Sequence, residues 1–353
     1  LKNPIIEKDI FSKRIELSHL KRIDRLFEKG IHYYLDPKVP ENSYEASVFF
    51  RKEKFETKLN IRAKKIVSKF EELKISISAI AKLSDMETVR TLSKYSLDDN
   101  PKSVALEIRR KLYPQFHSKR RDFLKSLISK FADNNIFVFE FIEAPNRKEK
   151  ANIDGFFLKP DVIVIKRHQS FRREIFTLAH ELGHYLLEKE EIELLDYDVI
   201  ANKQISKVER WCNDFAYFFL IGDYEKLIKE IKQANHLNDY HFDIIENISV
   251  NTHLSQIALF TRLLYQNKIS TNDYNLIKND FDEQFAKYKR EKELEKQLLK
   301  EQGIKQRGSI AKPIPSPLFI STIQTAFYEG VINEYEVCKK LNIKPDKLEK
   351  YIQ

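Results

Sequence analysis

GFFLKPDVIVIKRHQSFRREIFTLAHELGHYLL, residues 155–187, changes its hydrophobic period partway along, and that change decides the fold. Gly155-Phe-Phe-Leu158 and Val162-Ile-Val-Ile165 are short aromatic and β-branched runs on either side of the turn Lys159-Pro160-Asp161, which predicts two strands. From Glu174 to Leu187 the apolar residues recur every three or four positions, which predicts an amphipathic helix. Upstream, Ile136 to Ile142 alternates aromatic and β-branched residues and predicts a further strand, set off by the polar loop Asn146 to Lys150. No other stretch is strand-rich. The expectation is an α+β chain, mostly helical, with a sheet of about three strands directly before the helix 174–187.

That helix carries Thr177-Leu-Ala-His180-Glu181-Leu182-Gly183-His184, an H-E-x-x-H pattern. Histidines at i and i+4 lie one turn apart on one face, so both imidazoles can reach a single metal ion. Neutral imidazole nitrogen suits Zn2+ and leaves positions for a third ligand and a water. Glu181 follows the first histidine, where a carboxylate can take a proton from a metal-coordinated water and pass it to a leaving amine. Leu178, Leu182, Tyr185 and Leu186 form the opposite face, which would seat the helix on a core. Two histidines on a helix are more often plain surface residues; the separate apolar face and the preceding sheet argue for a site.

A third ligand has two sources. Val208-Glu209-Arg-Trp-Cys-Asn213-Asp214-Phe-Ala216 lies on the next amphipathic stretch, with Glu209 and Asn213 at i and i+4. Glu209 would complete a His₂Glu set with one open position, the arrangement of a catalytic zinc, and Asn213 would hold a ligand histidine through its distal nitrogen. Glu188 is the rival, four residues beyond His184. Ligands at i, i+4 and i+8 on a straight helix spread over ~12 Å, so Glu209 is preferred and Glu188 is assigned to the acidic turn that follows. Cys212 and Cys338 show no metal-site or disulfide spacing. The other seven histidines read as surface or satisfied core residues.

These residues resemble the ImmA/IrrE-type metallopeptidases, a bacterial family of zincin-like proteins. The family pattern F-T-x-A-H-E-x-G-H-x-L-L is met from Phe176 to Leu187, and its second block by Glu209, Asn213, Phe215 and Ala216. Asp154-Gly155-Phe156 matches the family's step into its core sheet. The resemblance covers roughly residues 100–225 and implies a zincin-like core, metal ligation by His180, His184 and Glu209, and a general-base role for Glu181. Ile175 stands where an arginine is common, and Glu188 where a histidine often follows. The family further implies a zinc metalloendopeptidase whose protein substrate is a DNA-binding, XRE-type helix-turn-helix repressor, cleaved to derepress prophage, mobile-element or stress-response genes. Val48-Phe49-Phe50-Arg51-Lys52 resembles the linker of members with an N-terminal helix-turn-helix module.

The remaining chain divides, on this reading, into residues 1–45, helical and a remnant of such a module; 46–99, a helical linker region; 100–225, the metallopeptidase domain; and 226–353, a helical C-terminal region. The longest apolar runs are far too short for a bilayer, and Leu1-Lys2-Asn3-Pro4 begins no signal-peptide core, so a cytoplasmic location without membrane contact is expected. The chain lacks an initiator Met and is read as a fragment or a trimmed form. The net charge of +9 would suit a nucleic-acid partner, but basic and acidic residues are interleaved, as in Lys287 to Lys296, which reads as solvated helix face. The competing expectation is a transcription regulator or toxin–antitoxin component whose zinc fold senses or docks. Its DNA contacts would come from the helix-turn-helix-like segments Ile248 to Leu259 and Ile332 to Leu341, each of which reads equally as a packing hairpin.

Overall fold

The pleat of three short strands sets which helices meet the H-E-x-x-H segment. The computed structural model describes residues 15–27, 59–86, 89–143, 149–168, 170–190, 206–302 and 312–352. It separates into two units, Leu1–Lys54 and Phe55–Gln353. Of the first, helix α1 (Leu17–Phe27) is described, and Leu20 is buried. The linker motif at Val48 to Lys52 lies outside the described residues, as does most of the expected N-terminal module.

The second unit opens with α2 (Ile61–Leu83), α3 (Pro101–Leu112) and α4 (Arg120–Ala132). Asn100 caps α3: its side-chain oxygen accepts from the amides of Lys102 and Ser103, and Pro101 takes the first turn, where no donor is needed. Strands β1 (Phe137–Phe141), β2 (Gly155–Leu158) and β3 (Val162–Lys166) follow. Their order in the sheet is β1-β3-β2, with β1 parallel to β3 (Phe139 opposite Val164) and β2 antiparallel to it (Phe156 opposite Val164).

Both faces of this sheet are covered, so its strands are apolar without strict alternation. Val138, Phe157, Ile163 and Ile165 face the main core beside α5 (Phe171–Leu187), where Phe157 meets Tyr185 edge-on at 5.7 Å. On the other face, Phe139 and Phe156 meet Phe70 of α2 at 5.8 and 6.1 Å. Helix α6 (Lys207–Ile221) lies along α5, followed by the short α7 (Glu225–Glu230), then α8 (Phe242–Thr252) and α9 (Gln256–Tyr265). The helix-turn-helix-like segment at 248–259 is therefore α8, a turn and α9, with Ile248, Ser249, Thr252, His253, Leu254 and Leu259 buried.

Helix α10 (Thr271–Glu301) is long and charged; beyond Ile277 its described side chains are mostly exposed, which is the solvated face its charge pattern predicts. Residues 312–316 then return to the sheet, where the Ile314 amide donates to Glu140 Oε2 of β1 at 2.5 Å. Beyond them, α11 (Pro317–Tyr328) places Phe319 against Phe139 at 5.4 Å, and α12 (Glu334–Leu341) donates from Lys340 Nζ to Ser76 Oγ of α2 at 2.7 Å. The architecture is thus α+β and mostly helical, with one small mixed sheet. Among the described residues no helix is long and apolar enough to cross a membrane.

Candidate metal centre

An amphipathic surface helix would bury one stripe. Instead α5 buries every residue from Glu174 to Leu187 except Phe176, and the polar residues His180, Glu181 and His184 are only 1, 4 and 0% exposed. Burying polar side chains is costly unless something holds them, so their surroundings carry the information.

Helix α6 supplies the partner. Ser206 caps it by accepting from the Glu209 amide at 3.1 Å, which fixes Glu209 in the first turn, where the helix dipole favours a carboxylate. From there Glu209 Oε2 lies 3.1 Å from His180 Nε2, and Oε1 lies 3.4 Å from His184 Nε2; the two Nε2 atoms are 3.1 Å apart. These are the three ligating groups that lie together within 4.8 Å, all buried. Glu188 is not among them. It ends α5 in the left-handed conformation (φ 49°) and pairs with Lys94 at 2.9 Å and Arg90 at 3.6 Å.

The far nitrogens decide what the near ones offer. Nδ1 of His180 is 3.0 Å from Asn213 Oδ1, one turn beyond Glu209, and Nδ1 of His184 is 3.1 Å from the carbonyl of Lys189. Each Nδ1 faces an acceptor oxygen, so its proton belongs there and each Nε2 keeps a lone pair. Two lone pairs and a carboxylate then converge, and Glu209 Oε2 is buried with no hydrogen bond among the described residues. Only positive charge, as added protons or a metal ion, settles such a point. Burial opposes ionisation of Glu209, but positive charge and hydrogen bonds from the His184 and His180 side outweigh it and hold the carboxyl well below the usual carboxylate range. The donor set therefore fits a metal cation.

Two glycines set the spacing. A Cβ on Gly183 would lie 3.0 Å from Cys212 Sγ and 3.1 Å from both Cys212 Cα and Cβ, so the absent side chain lets α5 and α6 close on one another. At the start of β2, a Cβ on Gly155 would meet Thr177 Cγ2 at 2.6 Å and Glu181 Oε1 at 3.0 Å. The first residue of an edge strand thus abuts the carboxylate that follows His180.

Sequence reasoning missed the outer polar frame. Asp154 receives His168 Nε2 at 3.0 Å and the Arg173 guanidinium. Burial works against its ionisation, but the His168 ring and the Arg173 guanidinium beside it outweigh burial and hold its carboxyl below the ordinary range. Arg167 Nη1 donates to both oxygens of Glu174 at 2.8 Å, and the His168 amide donates to Oε1 at 2.7 Å. Even so, burial and neighbouring Glu140 push Glu174 up to about 8. The carbonyl of Lys189 had no signal to find, since a backbone oxygen has no residue type.

Residues 139–258 match the family model described as Peptidase_M78, the IrrE N-terminal-like domain. The match takes in most of the sheet, both helices that bear the cluster, and the start of α9. It supports a metallopeptidase-type function, consistent with the buried His180, His184 and Glu209 group. No curated protein matches the chain.

Proposed function

We propose that the chain is a zinc-dependent metalloendopeptidase in which His180, His184 and Glu209 hold the ion and Glu181 is the general base. The observation that supports this most is the convergence of two imidazole lone pairs and a carboxylate at a buried point, with the buried Glu181 next in sequence to His180. A bound Zn2+ would supply Lewis acidity and acidify a coordinated water. Asn213 and the Lys189 carbonyl keep both imidazoles in the tautomer that ligates. Glu181, on α5 against Gly155, would take the proton of the attacking water and return it to the departing amine nitrogen. Because β2 is an edge of the sheet, an extended peptide can add to it as a further strand, which would bring its backbone past Glu181.

The substrate we infer is a helix-turn-helix repressor of XRE type, in a cytoplasmic setting, where cleavage would derepress its genes. The resemblance of the Phe176 to Leu187 and Glu209 to Ala216 blocks to repressor-cleaving relatives supports that reading. Comparing new protein N-termini in cells that express the wild type or Glu181→Gln tests it. A single new terminus within a DNA-binding protein, absent with the variant, is expected. Equal termini in both would remove Glu181 as the base, and termini scattered over many proteins would remove the narrow substrate.

A further inference from the structure

Beside the metal centre, on the far side of Asn213, is a cavity of about 280 Å³ between the N-terminal turn of α5 and helices α6 and α9. Phe176 and Ile257 give it apolar walls, while Arg172, Arg173 and Arg262 bring three guanidinium groups to its lining against the single carboxylate of Asp214. Asp214 is engaged by Arg262 Nη1 at 2.6 Å, and Arg173 is engaged by Asp154. Among the described residues Arg172 pairs with no carboxylate: its Nη2 donates to the Ser249 carbonyl at 3.2 Å, and its Nε is buried without a hydrogen bond.

Tyr217 supplies the second sign. It lines the same cavity and is 5% exposed; the Arg262 guanidinium lies over its ring at 4.6 Å, and its buried hydroxyl donates to no acceptor among the described residues. A phenol that could not find an acceptor would ordinarily be replaced by phenylalanine at no loss. An unpaired donor, an uncompensated guanidinium and apolar walls share one chemical complement. We propose that this cavity is a binding site for a small amphipathic anion, a carboxylate or phosphate carried on an apolar group, held by Arg172 and the Tyr217 hydroxyl. Asn213 belongs to both places, since it lines the cavity and its Oδ1 orients His180. The anion has two possible sources, a free metabolite-sized ligand or an acidic residue of the bound polypeptide, and the chemistry at Arg172 is the same for both.

The site does not depend on catalysis, so its test uses the full-length chain carrying Glu181→Gln. Phenylphosphate is titrated in by calorimetry, with benzyl alcohol as the uncharged control. Saturable one-to-one binding of phenylphosphate is expected, about tenfold weaker in Arg172→Gln and several-fold weaker in Tyr217→Phe, with metal content and melting temperature unchanged in the phenylalanine variant. Displacement of the probe by an acidic octapeptide assigns the site to the polypeptide; failure of that displacement assigns it to a free ligand. Absence of saturable binding, equal binding of benzyl alcohol, or binding lost only on stripping the metal overturns the inference. The last result would mean that the phosphate sits on the ion, leaving the peptidase reading intact while removing the cavity.

Discussion

Replacing Gly183 by alanine tests whether the close approach of α5 and α6 sets the metal site. Two effects oppose. Alanine in a helix interior is favoured over glycine by ~1 kcal/mol, while overpacking a tight contact costs ~1–3 kcal/mol. The new methyl would sit 3.0–3.1 Å from three atoms of Cys212, one of them backbone, so α6 must retreat by a few tenths of an ångström. Global stability of the metal-free chain should therefore fall by only ~0–2 kcal/mol. The ligands feel the shift more: Glu209 rides on α6 and the histidines on α5, across gaps of 3.1 and 3.4 Å. Metal affinity should drop ~10–100-fold, the size of effect seen when ligand-supporting groups are lost. The assay is competition against a chromophoric zinc chelator, paired with thermal melts of the stripped protein. Adding Cys212→Ala removes the sulfur but leaves Cα and Cβ, so it should restore affinity only in part. Wild-type affinity in Gly183→Ala, or full rescue by Cys212→Ala, would refute the reasoning.

Three further outcomes follow from the same geometry. Gly155→Ala should cut cleavage ~100-fold while metal affinity stays within a few-fold, because the methyl displaces Thr177 and Glu181 rather than a ligand; equal loss of metal would contradict this. Glu174 holds its proton up to about pH 8 when folded and releases it near 4.5 when unfolded, so stability falls as pH rises across that window, at most ~1.4 kcal/mol per pH unit. Glu174→Gln should abolish that slope, taken as variant-minus-wild-type differences so that the metal ligands cancel. His253 has the opposite sense. Burial, in the company of Phe116 and Phe123, pulls it from 6.5 to about 4, so the folded chain loses stability as pH falls through that range. His253→Asn, which keeps the left-handed backbone (φ 61°), should be less stable at neutral pH but lack this acid slope, measured by denaturant titration at pH 4 to 7.

What was legible in the sequence is what local pattern encodes. Three short β-branched runs and a 3.6-residue period are properties of neighbours in the chain, so the strands and helices α5 and α6 sit where the sequence places them. Glu209 could be preferred to Glu188 because rise per residue alone separates ligands along one helix. The spacing of Cys212 set it apart from metal and disulfide patterns, but its place under Gly183 was not readable, because the contact joins two helices. The Asp154, His168 and Arg173 group was equally hidden: its charges are spread over a strand approach and a helix start, with no spacing rule to join them. Lys189 contributes only a carbonyl. Tyr217 and Arg172 each look like ordinary helix residues until the cavity between α5, α6 and α9 is seen.

The bond from the Ile314 amide to Glu140 joins residues 174 positions apart. Until that amide arrives, a carboxylate on the first strand of the sheet is buried with nothing donating to that oxygen, and Phe139 lacks Phe319 across its face. Ile314 and Phe319 are thus structural members of the sheet that supports helices α5 and α6, though they follow it by well over a hundred residues. During synthesis the ligands on α5 and α6 are exposed to the cell well before the segment that steadies their platform. That platform cannot be completed from neighbouring sequence alone, because one of its buried carboxylates waits for a donor made long after its own strand.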